Sequence, residues 1–250
     1  MLNTDNKLAL PQGSLILVTG ASGFIASNFI VEALEAGYRV RGTARSADKV
    51  QKTRDIFNSP NYDGIVGVDA VVHMASPLTF DPDPSKVVVP AMKGATSILR
   101  SAKKEPKIKR FVFTSSSQAA TLPRPGKKFK INKNSWNNDI EQWVNPSPPF
   151  LPENGVLVYA ASKTKAEHAV WEFVKNERPN FIVNTILPSF NIGRAIVSSG
   201  ARSFAANQQQ SEDLSEVDNA QGAELLNRWY GQDGYTPMKE SVRQNVQQLT

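Results

Sequence analysis

The side chains best suited to chemistry in this sequence are a tyrosine and a lysine four residues apart, Tyr159 and Lys163. Residues at i and i+4 share one face of a helix, so the lysine can lie beneath the phenol and, as a cation, lower its pKa. A hydride added to a carbonyl group leaves an alkoxide that needs a proton, and Tyr159 could give it. The hydroxyls of Thr114-Ser115-Ser116, at the end of a predicted strand, could donate a further hydrogen bond to that oxygen. A Tyr-x-x-x-Lys spacing alone also occurs by chance, so the interpretation depends on the elements around it.

A glycine-rich turn, Gly20-Ala21-Ser22-Gly23, follows the first predicted strand and opens a helix. Backbone N–H groups in such a turn can approach a pyrophosphate, and the N-terminus of the helix adds partial positive charge. Ala26, the third position of the Gly-x-x-Gly-x-x-Ala spacing, is small enough for the helix to pack closely on the strand. The alternative is that the glycines only form the turn, but their position after the first strand favours a dinucleotide.

The residues after the second predicted strand indicate which dinucleotide is bound. A site that prefers NAD places a carboxylate there to hold the ribose 2′-hydroxyl. Here residues 39–46 contain no acid, and the first one is Asp48, inside the next predicted helix. A carboxylate would repel a 2′-phosphate, whereas Arg45 could bind it through two hydrogen bonds, with Lys49 beside it. We therefore predict NADP(H); the alternative is that Arg45 and Lys49 are ordinary surface charges.

Short apolar runs alternate with helical stretches through most of the chain. Strands are predicted at 15–18, 38–42, 66–74, 110–114 and 181–187, and helices at 23–36, 46–57, 85–104, 157–176, 219–230 and 238–249. This alternation predicts an α/β fold with a doubly wound parallel sheet, the Rossmann type. A loop is predicted from about 121 to 155. Its aromatic residues Trp136, Trp143 and Phe150 could either line a substrate pocket or pack the loop against the domain.

Composition narrows the chemistry further. The 250 residues include no cysteine and only two histidines, His73 and His168, which excludes disulfides, thiolate catalysis and Cys-based metal sites and argues against a metal centre. His73 lies in an apolar strand and is predicted to be packed, whereas His168 is predicted to be solvated.

No apolar run of membrane-spanning length and no signal-type segment is present, so we expect a cytoplasmic protein without a membrane partner. Basic clusters at 100–110 and 124–133 lack a nucleic-acid-binding pattern, so no nucleic-acid partner is predicted.

With these motifs, the sequence resembles the extended short-chain dehydrogenase/reductases. Within them it resembles fungal NADPH-dependent aldehyde/ketone (carbonyl) reductases, methylglyoxal reductases and plant dihydroflavonol 4-reductases. The resemblance is carried by LILVTGASGFIAS, YRVRGTARS, VDAVVHMASP, KRFVFTSSS, VYAASKTKAE and ILPSFNIG. It implies that Ser116 donates to the substrate oxygen, that Tyr159 is the proton donor, and that Lys163 holds the nicotinamide ribose and tunes Tyr159. Together with Arg45 and Lys49, the cofactor-binding residues are then Gly20, Ser22, Gly23, Phe24, Ile25, Ala75, Ser76, Tyr159, Lys163, Pro188 and Ser189. The implied substrate is a small aldehyde or ketone, and the implied assembly is a monomer or a homodimer.

Two segments are shorter than in that family. Only residues 58–67 separate the second predicted helix from the next strand, so the third strand unit of the Rossmann domain is predicted to be missing around 58–66. We divide the chain into an NADP-binding domain at 1–193 and a remnant of a substrate-binding domain at 194–250. Because of these two short segments, one alternative to a reductase is a non-catalytic NADP(H)-binding relative or sensor. A third, less favoured alternative is an epimerase or dehydratase of the same fold acting on a nucleotide sugar.

Overall fold

A computed structural model of the chain describes residues 8–46, 48–49, 51, 65–191, 196, 215–230, 232 and 235. Its strands are β1 (Leu15–Thr19), β2 (Arg39–Thr43), β3 (Ala70–His73), β4 (Arg110–Thr114), β5 (Phe129–Ile131), β6 (Ile182–Ile186) and β7 (Ser215–Val217). Its α-helices are α1 (Phe24–Glu35), α2 (Pro84–Lys103), α3 (Gly155–Glu177) and α4 (Ala220–Tyr230). Short 3-10 helices lie at Ser117–Ala119, Asn138–Trp143 and Pro152–Asn154.

Five of the strands form one parallel sheet in the order β2-β1-β3-β4-β6. The predicted doubly wound α/β class is therefore confirmed. Strand β4 has the bounds predicted from its apolar run, whereas β3 is shorter than the predicted 66–74 because residues 65–67 form a turn. All five strands end at the same edge of the sheet, and in open α/β sheets ligands bind outside this carboxyl edge.

Helices cover both faces of the sheet, which explains why its central strands are largely apolar. Every residue of β1 and β3 is buried. On one face, α2 and α3 pack on Leu17, Val71 and Phe111, with Leu99 and Val170 fully buried between the layers. On the other face, α1 packs on β1 and β2 around a separate apolar cluster. The core therefore holds the carboxyl edge rigidly, and the turns that follow β1, β3 and β4 are positioned by it.

The segment between β4 and α3 is more ordered than the predicted loop at 121–155. It contains β5, which pairs in parallel with β7, and a 3-10 helix whose Ile140 is fully buried against α3. Trp136 stacks on His168 with ring centroids 3.9 Å apart, so Trp136 packs this segment down. His168 is half-buried, with Trp136 stacked on its ring, so the prediction that it is solvated holds only in part. Trp143 also packs against the α3 cluster.

Several predicted features lie outside the described residues. They are most of the helix at 46–57, most of the segment at 58–66, the domain boundary at Gly193 and the helix at 238–249. Within the part of the chain that the structure describes, β2 pairs with β1 alone. The division into domains and the missing third strand unit therefore stay predictions. Among these same residues, no helix is both long and apolar enough to cross a lipid bilayer.

Candidate active site

The turn after β1 packs closely on the segment after β3, and only a glycine fits at its first position. Gly20 has a φ of 70°, and a Cβ added there would lie 3.0 Å from the Cα of Ala75, so a side chain would be strained and crowded. The N–H of Gly23 donates to the carbonyl of Gly20 (2.8 Å), and the N–H of Ala21 donates to the carbonyl of Thr43 at the end of β2 (2.9 Å). The turn is thus held against the strands on either side of β1.

Helix α1 begins directly after this turn without a side-chain cap. Gly23 is its N-cap, with extended backbone (φ −79°, ψ 158°), and its first turn contains no acidic residue. No side chain of the cap therefore occupies the first N–H groups, and no carboxylate repels an anion. Ser22 and Phe24 are half-buried here, and Ile25 is exposed. These features fit a pyrophosphate at the helix N-terminus.

Ser116, Tyr159 and Lys163 meet at the carboxyl edge of the sheet. Ser116 follows β4 with extended backbone, and its hydroxyl forms a hydrogen bond with that of Tyr159. Lys163 lies one turn beyond Tyr159 on α3. Its Nζ donates to the Thr114 carbonyl (3.2 Å) and lies 6.0 Å from the centroid of the Tyr159 ring. The three residues that the sequence singles out from separate segments are therefore neighbours.

Burial sets the charge states of this group. It lowers the pKa of Lys163 from 10.5 to about 8, although the nearby Glu167 carboxylate opposes the change. Burial also raises the pKa of Tyr159 above its usual 10, and the hydrogen bond with Ser116 opposes that rise. The pKa of Tyr159 is thus raised overall, so the expected fall of the phenol pKa toward neutral pH is not seen in this arrangement. At neutral pH, Tyr159 is a protonated phenol and Lys163 is a cation.

Phe80 belongs to this group although nothing in the sequence points to it. Its ring lies 5.2 Å from the Tyr159 ring, centroid to centroid, and forms an apolar wall beside the phenol. Its backbone has a positive φ of 51°. A Cβ at Gly155, the first residue of α3, would collide with the Phe80 carbonyl, so the glycine allows this contact. Gly155, 75 residues from Phe80 along the chain, is the one residue in the sequence that reflects this contact. The contact cannot be inferred from that glycine without the fold.

Four further predicted cofactor residues lie along the same edge. Ala75 is exposed and Ser76 is half-buried, directly after β3. The carbonyl of Pro188 accepts a hydrogen bond from the N–H of Ser117 (2.8 Å), which fixes the segment after β6 beside the end of β4. Ser189 follows in an exposed position. The structure therefore brings the segments after β3, β4 and β6 to one edge.

Arg45 and Lys49, the predicted phosphate-binding pair, follow β2. Both are exposed, and Lys49 lies in a helical stretch. Arg45 is two residues beyond Thr43, whose carbonyl accepts the N–H of Ala21 in the glycine-rich turn. Arg45 is therefore close in the fold to the glycine-rich turn, and its side chain is exposed to solvent.

Comparison with known proteins places the chain in a family. Residues 16–195 match the model of the NAD dependent epimerase/dehydratase family. The chain belongs to that family. The predicted resemblance to extended short-chain dehydrogenase/reductases is thereby confirmed. In this NAD dependent epimerase/dehydratase family member, the matched residues include the glycine-rich turn and the Ser116, Tyr159 and Lys163 group.

Individual relatives of this family member include reductases. It is 39% identical over 221 residues to the NAD-dependent epimerase/dehydratase terH of Aspergillus terreus, which covers 81% of this chain and 65% of that protein. It is 39% identical over 212 residues to Aldehyde reductase 2 of Sporidiobolus salmonicolor, covering 77% and 62%. The solved structure of the yeast methylglyoxal/isovaleraldehyde reductase Gre2 complexed with NADPH is similar at a TM-score of 0.61 and 28% identity, covering 72% and 59%. The chain thus spans less than two thirds of the length of these relatives.

Proposed function

We propose that the protein reduces an aldehyde or ketone to an alcohol with a hydride from NADPH. The observation that carries this proposal is the meeting of Ser116, Tyr159 and Lys163 at the sheet edge that also holds the Gly20 turn. Support comes from a relative that is an aldehyde reductase and from a similar structure, a methylglyoxal/isovaleraldehyde reductase, that was solved with NADPH. The substrate class is a small carbonyl compound.

The residues present fit this cofactor. The start of α1, with Gly23 as its N-cap and no acidic residue in its first turn, suits a pyrophosphate, and Arg45 offers a guanidinium for a 2′-phosphate. Ala75, Ser76, Pro188 and Ser189 would border the cofactor farther along the edge, and Lys163 would hold the nicotinamide ribose. When bound, NADPH supplies the hydride that adds to the carbonyl carbon.

The protein's own part in the reaction is proton transfer and positioning. Tyr159 donates its phenolic proton to the carbonyl oxygen as negative charge develops there, so that the product leaves as an alcohol. The Ser116 hydroxyl donates a hydrogen bond to the same oxygen. Lys163 places a buried positive charge behind the phenol, which stabilises the phenolate until solvent returns a proton. The raised pKa of Tyr159 keeps it protonated at neutral pH, the state that reduction requires.

The decisive variant is Tyr159→Phe, which removes the proton and keeps the ring that contacts Phe80. We expect turnover of NADPH with a panel of aldehydes and ketones, followed by ultraviolet absorbance, to fall by roughly 100- to 10,000-fold. NADPH binding should persist. Tyr38→Phe is a matched control, because its hydroxyl donates to the Leu10 carbonyl (3.2 Å), away from the site. Turnover by Tyr159→Phe at the rate of the unsubstituted protein would contradict the proposal.

Cofactor choice and the alternative functions are tested by titration. NADPH should bind more tightly than NADH, and Arg45→Ala should weaken NADPH binding by roughly tenfold or more while NADH binding changes little. Arg39→Ala, an exposed arginine at the opposite end of β2, is the control. NADPH binding without turnover of any carbonyl compound would favour a non-catalytic NADP(H)-binding protein. Turnover of a nucleotide sugar with no net consumption of cofactor would favour an epimerase or dehydratase.

A further inference from the structure

His73 is a buried titratable residue that the proposed reaction does not use. It ends β3, is 6% exposed, and stacks on Phe113 with ring centroids 5.8 Å apart and an interplanar angle of 21°. Its Nδ1 lies 2.7 Å from the Oγ1 of Thr19, the last residue of the neighbouring β1. Thr19 is also buried, so this short contact joins the ends of two strands in the interior.

The hydrogen bonds around Thr19 determine the tautomer of His73. The N–H groups of Met74 and Ala75 both donate to the Thr19 Oγ1, each at 3.1 Å. A hydroxyl has two acceptor positions and one proton, so Thr19 must donate that proton to Nδ1. Nδ1 is then unprotonated, and the proton of the neutral ring is on Nε2. Burial, followed by the charge of Lys163, lowers the pKa of His73 from 6.5 to about 4, which agrees with a neutral ring.

The Thr19 hydroxyl in turn controls the place where the two cofactor-side segments meet. It holds the N–H of Ala75, whose Cα is the atom that a Cβ on Gly20 would approach at 3.0 Å. Thr19 is also the residue directly before Gly20. One hydroxyl therefore sets the distance between the glycine-rich turn after β1 and the segment after β3.

We propose that His73, as the neutral Nε2–H tautomer, is a positioning residue for the dinucleotide. It orients the Thr19 hydroxyl, which fixes the backbone of Ala75 against the Gly20 turn. This inference rests on the proposed function, because it assumes that NADPH binds at that turn. It predicts that loss of the acceptor on residue 73 weakens NADPH binding and leaves the affinity for the carbonyl substrate unchanged.

The tautomer can be measured without any cofactor. With only two histidines in the chain, nitrogen-15 labelling of histidine gives two rings, and a His168→Gln variant identifies the signals of His73. We expect the Nδ1 of His73 to have the chemical shift of an unprotonated nitrogen and Nε2 that of a protonated one, throughout pH 5 to 8. A ring protonated on Nδ1, or one that titrates in that range, would overturn the inference.

The positioning role is tested with two substitutions that differ in one acceptor. His73→Leu removes the acceptor, and because a buried hydrogen bond contributes about 1 kcal/mol, the Kd for NADPH should rise roughly five- to tenfold. His73→Asn places an amide oxygen near the former Nδ1 and should bind NADPH within about threefold of the unsubstituted protein. Fluorescence titration with NADPH gives the Kd, and thermal melts establish that each variant is folded.

A double variant with Thr19 shows whether His73 acts by orienting the Thr19 hydroxyl or only by packing in the core. If His73 acts through Thr19, adding His73→Leu to Thr19→Val should not weaken NADPH binding further. In steady-state kinetics the KM for NADPH should rise in His73→Leu while the KM for the carbonyl substrate stays the same. Equal binding by folded His73→Leu and the unsubstituted protein, or additive effects in the double variant, would overturn the inference. Failure of the unsubstituted protein to bind NADPH would instead reject the proposed function, whatever tautomer the nitrogen signals show.

Discussion

Lys163 allows a quantitative prediction on stability, because burying its charged ammonium group costs free energy of folding. Its pKa of about 8, against an ordinary 10.5, means that the folded protein is destabilised by about 3 kcal/mol while Lys163 is protonated. The attraction of Glu167 is already included in that pKa. Lys163→Met keeps a similar volume and removes the charge. We therefore expect the variant to be inactive and, at pH 7, more stable than the unsubstituted protein by about 3 kcal/mol.

The pH dependence of the stability difference shows whether the gain comes from removal of the buried charge or from better packing of the methionine side chain. Below pH 8 the folded and unfolded states both hold the lysine proton, so the full destabilisation is present. Between pH 8 and 10.5 the folded state loses the proton while the unfolded state keeps it, so the stability of the unsubstituted protein rises with pH relative to the variant. The advantage of Lys163→Met should therefore shrink from about 3 kcal/mol at pH 7 toward zero as the pH approaches 10.5.

Urea unfolding of both proteins from pH 7 to 10 measures this difference directly. Lys175→Met is the control, because it removes a lysine that is exposed on the same helix. The reasoning is refuted if Lys163→Met is less stable than the unsubstituted protein at pH 7. It is also refuted if an advantage exists but stays constant up to pH 10, since that would indicate packing rather than charge.

Two further predictions concern helix α3. Gly155→Ala should destabilise the protein by about 1–3 kcal/mol in thermal melts, because the added Cβ would collide with the Phe80 carbonyl. Gly94→Ala in α2 is the control and should be neutral or stabilising, because nothing lies within 4 Å of a Cβ there. Equal effects of the two substitutions would contradict the contact between Gly155 and Phe80. Glu167→Gln removes the carboxylate that raises the pKa of Lys163, so the alkaline limb of the kcat profile should move to lower pH. An unchanged profile would show that the two charges do not interact.

The parts of the fold that follow from local pattern were predicted well. Strand β4 has the predicted bounds: its apolar residues end at Phe113, Thr114 is its last residue, and Ser115 and Ser116 follow it. The position of Tyr159 and Lys163 on one helix follows from their spacing. That the hydroxyls and the phenol meet could also be expected, since the carboxyl ends of parallel strands share one edge.

The remaining features depend on contacts between distant segments. The pairing of β5 with β7 joins two three-residue strands that are too short to show any period. The contact of Phe80 with Tyr159 needs both an unusual φ and a glycine at the start of α3. The rise in the pKa of Tyr159 depends on how deeply the phenol is buried, which spacing along a helix does not reveal. In each case the local sequence is compatible with several outcomes, and the tertiary structure selects one.

The charge states at the sheet edge also depend on one another. Lys163 titrates at about 8 and His73 at about 4, so between these values the edge contains one cation and one neutral imidazole. His73 has the lower pKa of the two because burial and the charge of Lys163 both disfavour its protonated form. Lys163 has the Glu167 carboxylate nearby, which favours its protonated form. A protonated His73 could not accept the Thr19 hydroxyl proton at Nδ1. The charge of Lys163 on α3 thus favours the neutral form of His73, the form that the proposed positioning role requires, and through it the proposed proton-transfer group and the glycine-rich turn would be electrostatically coupled.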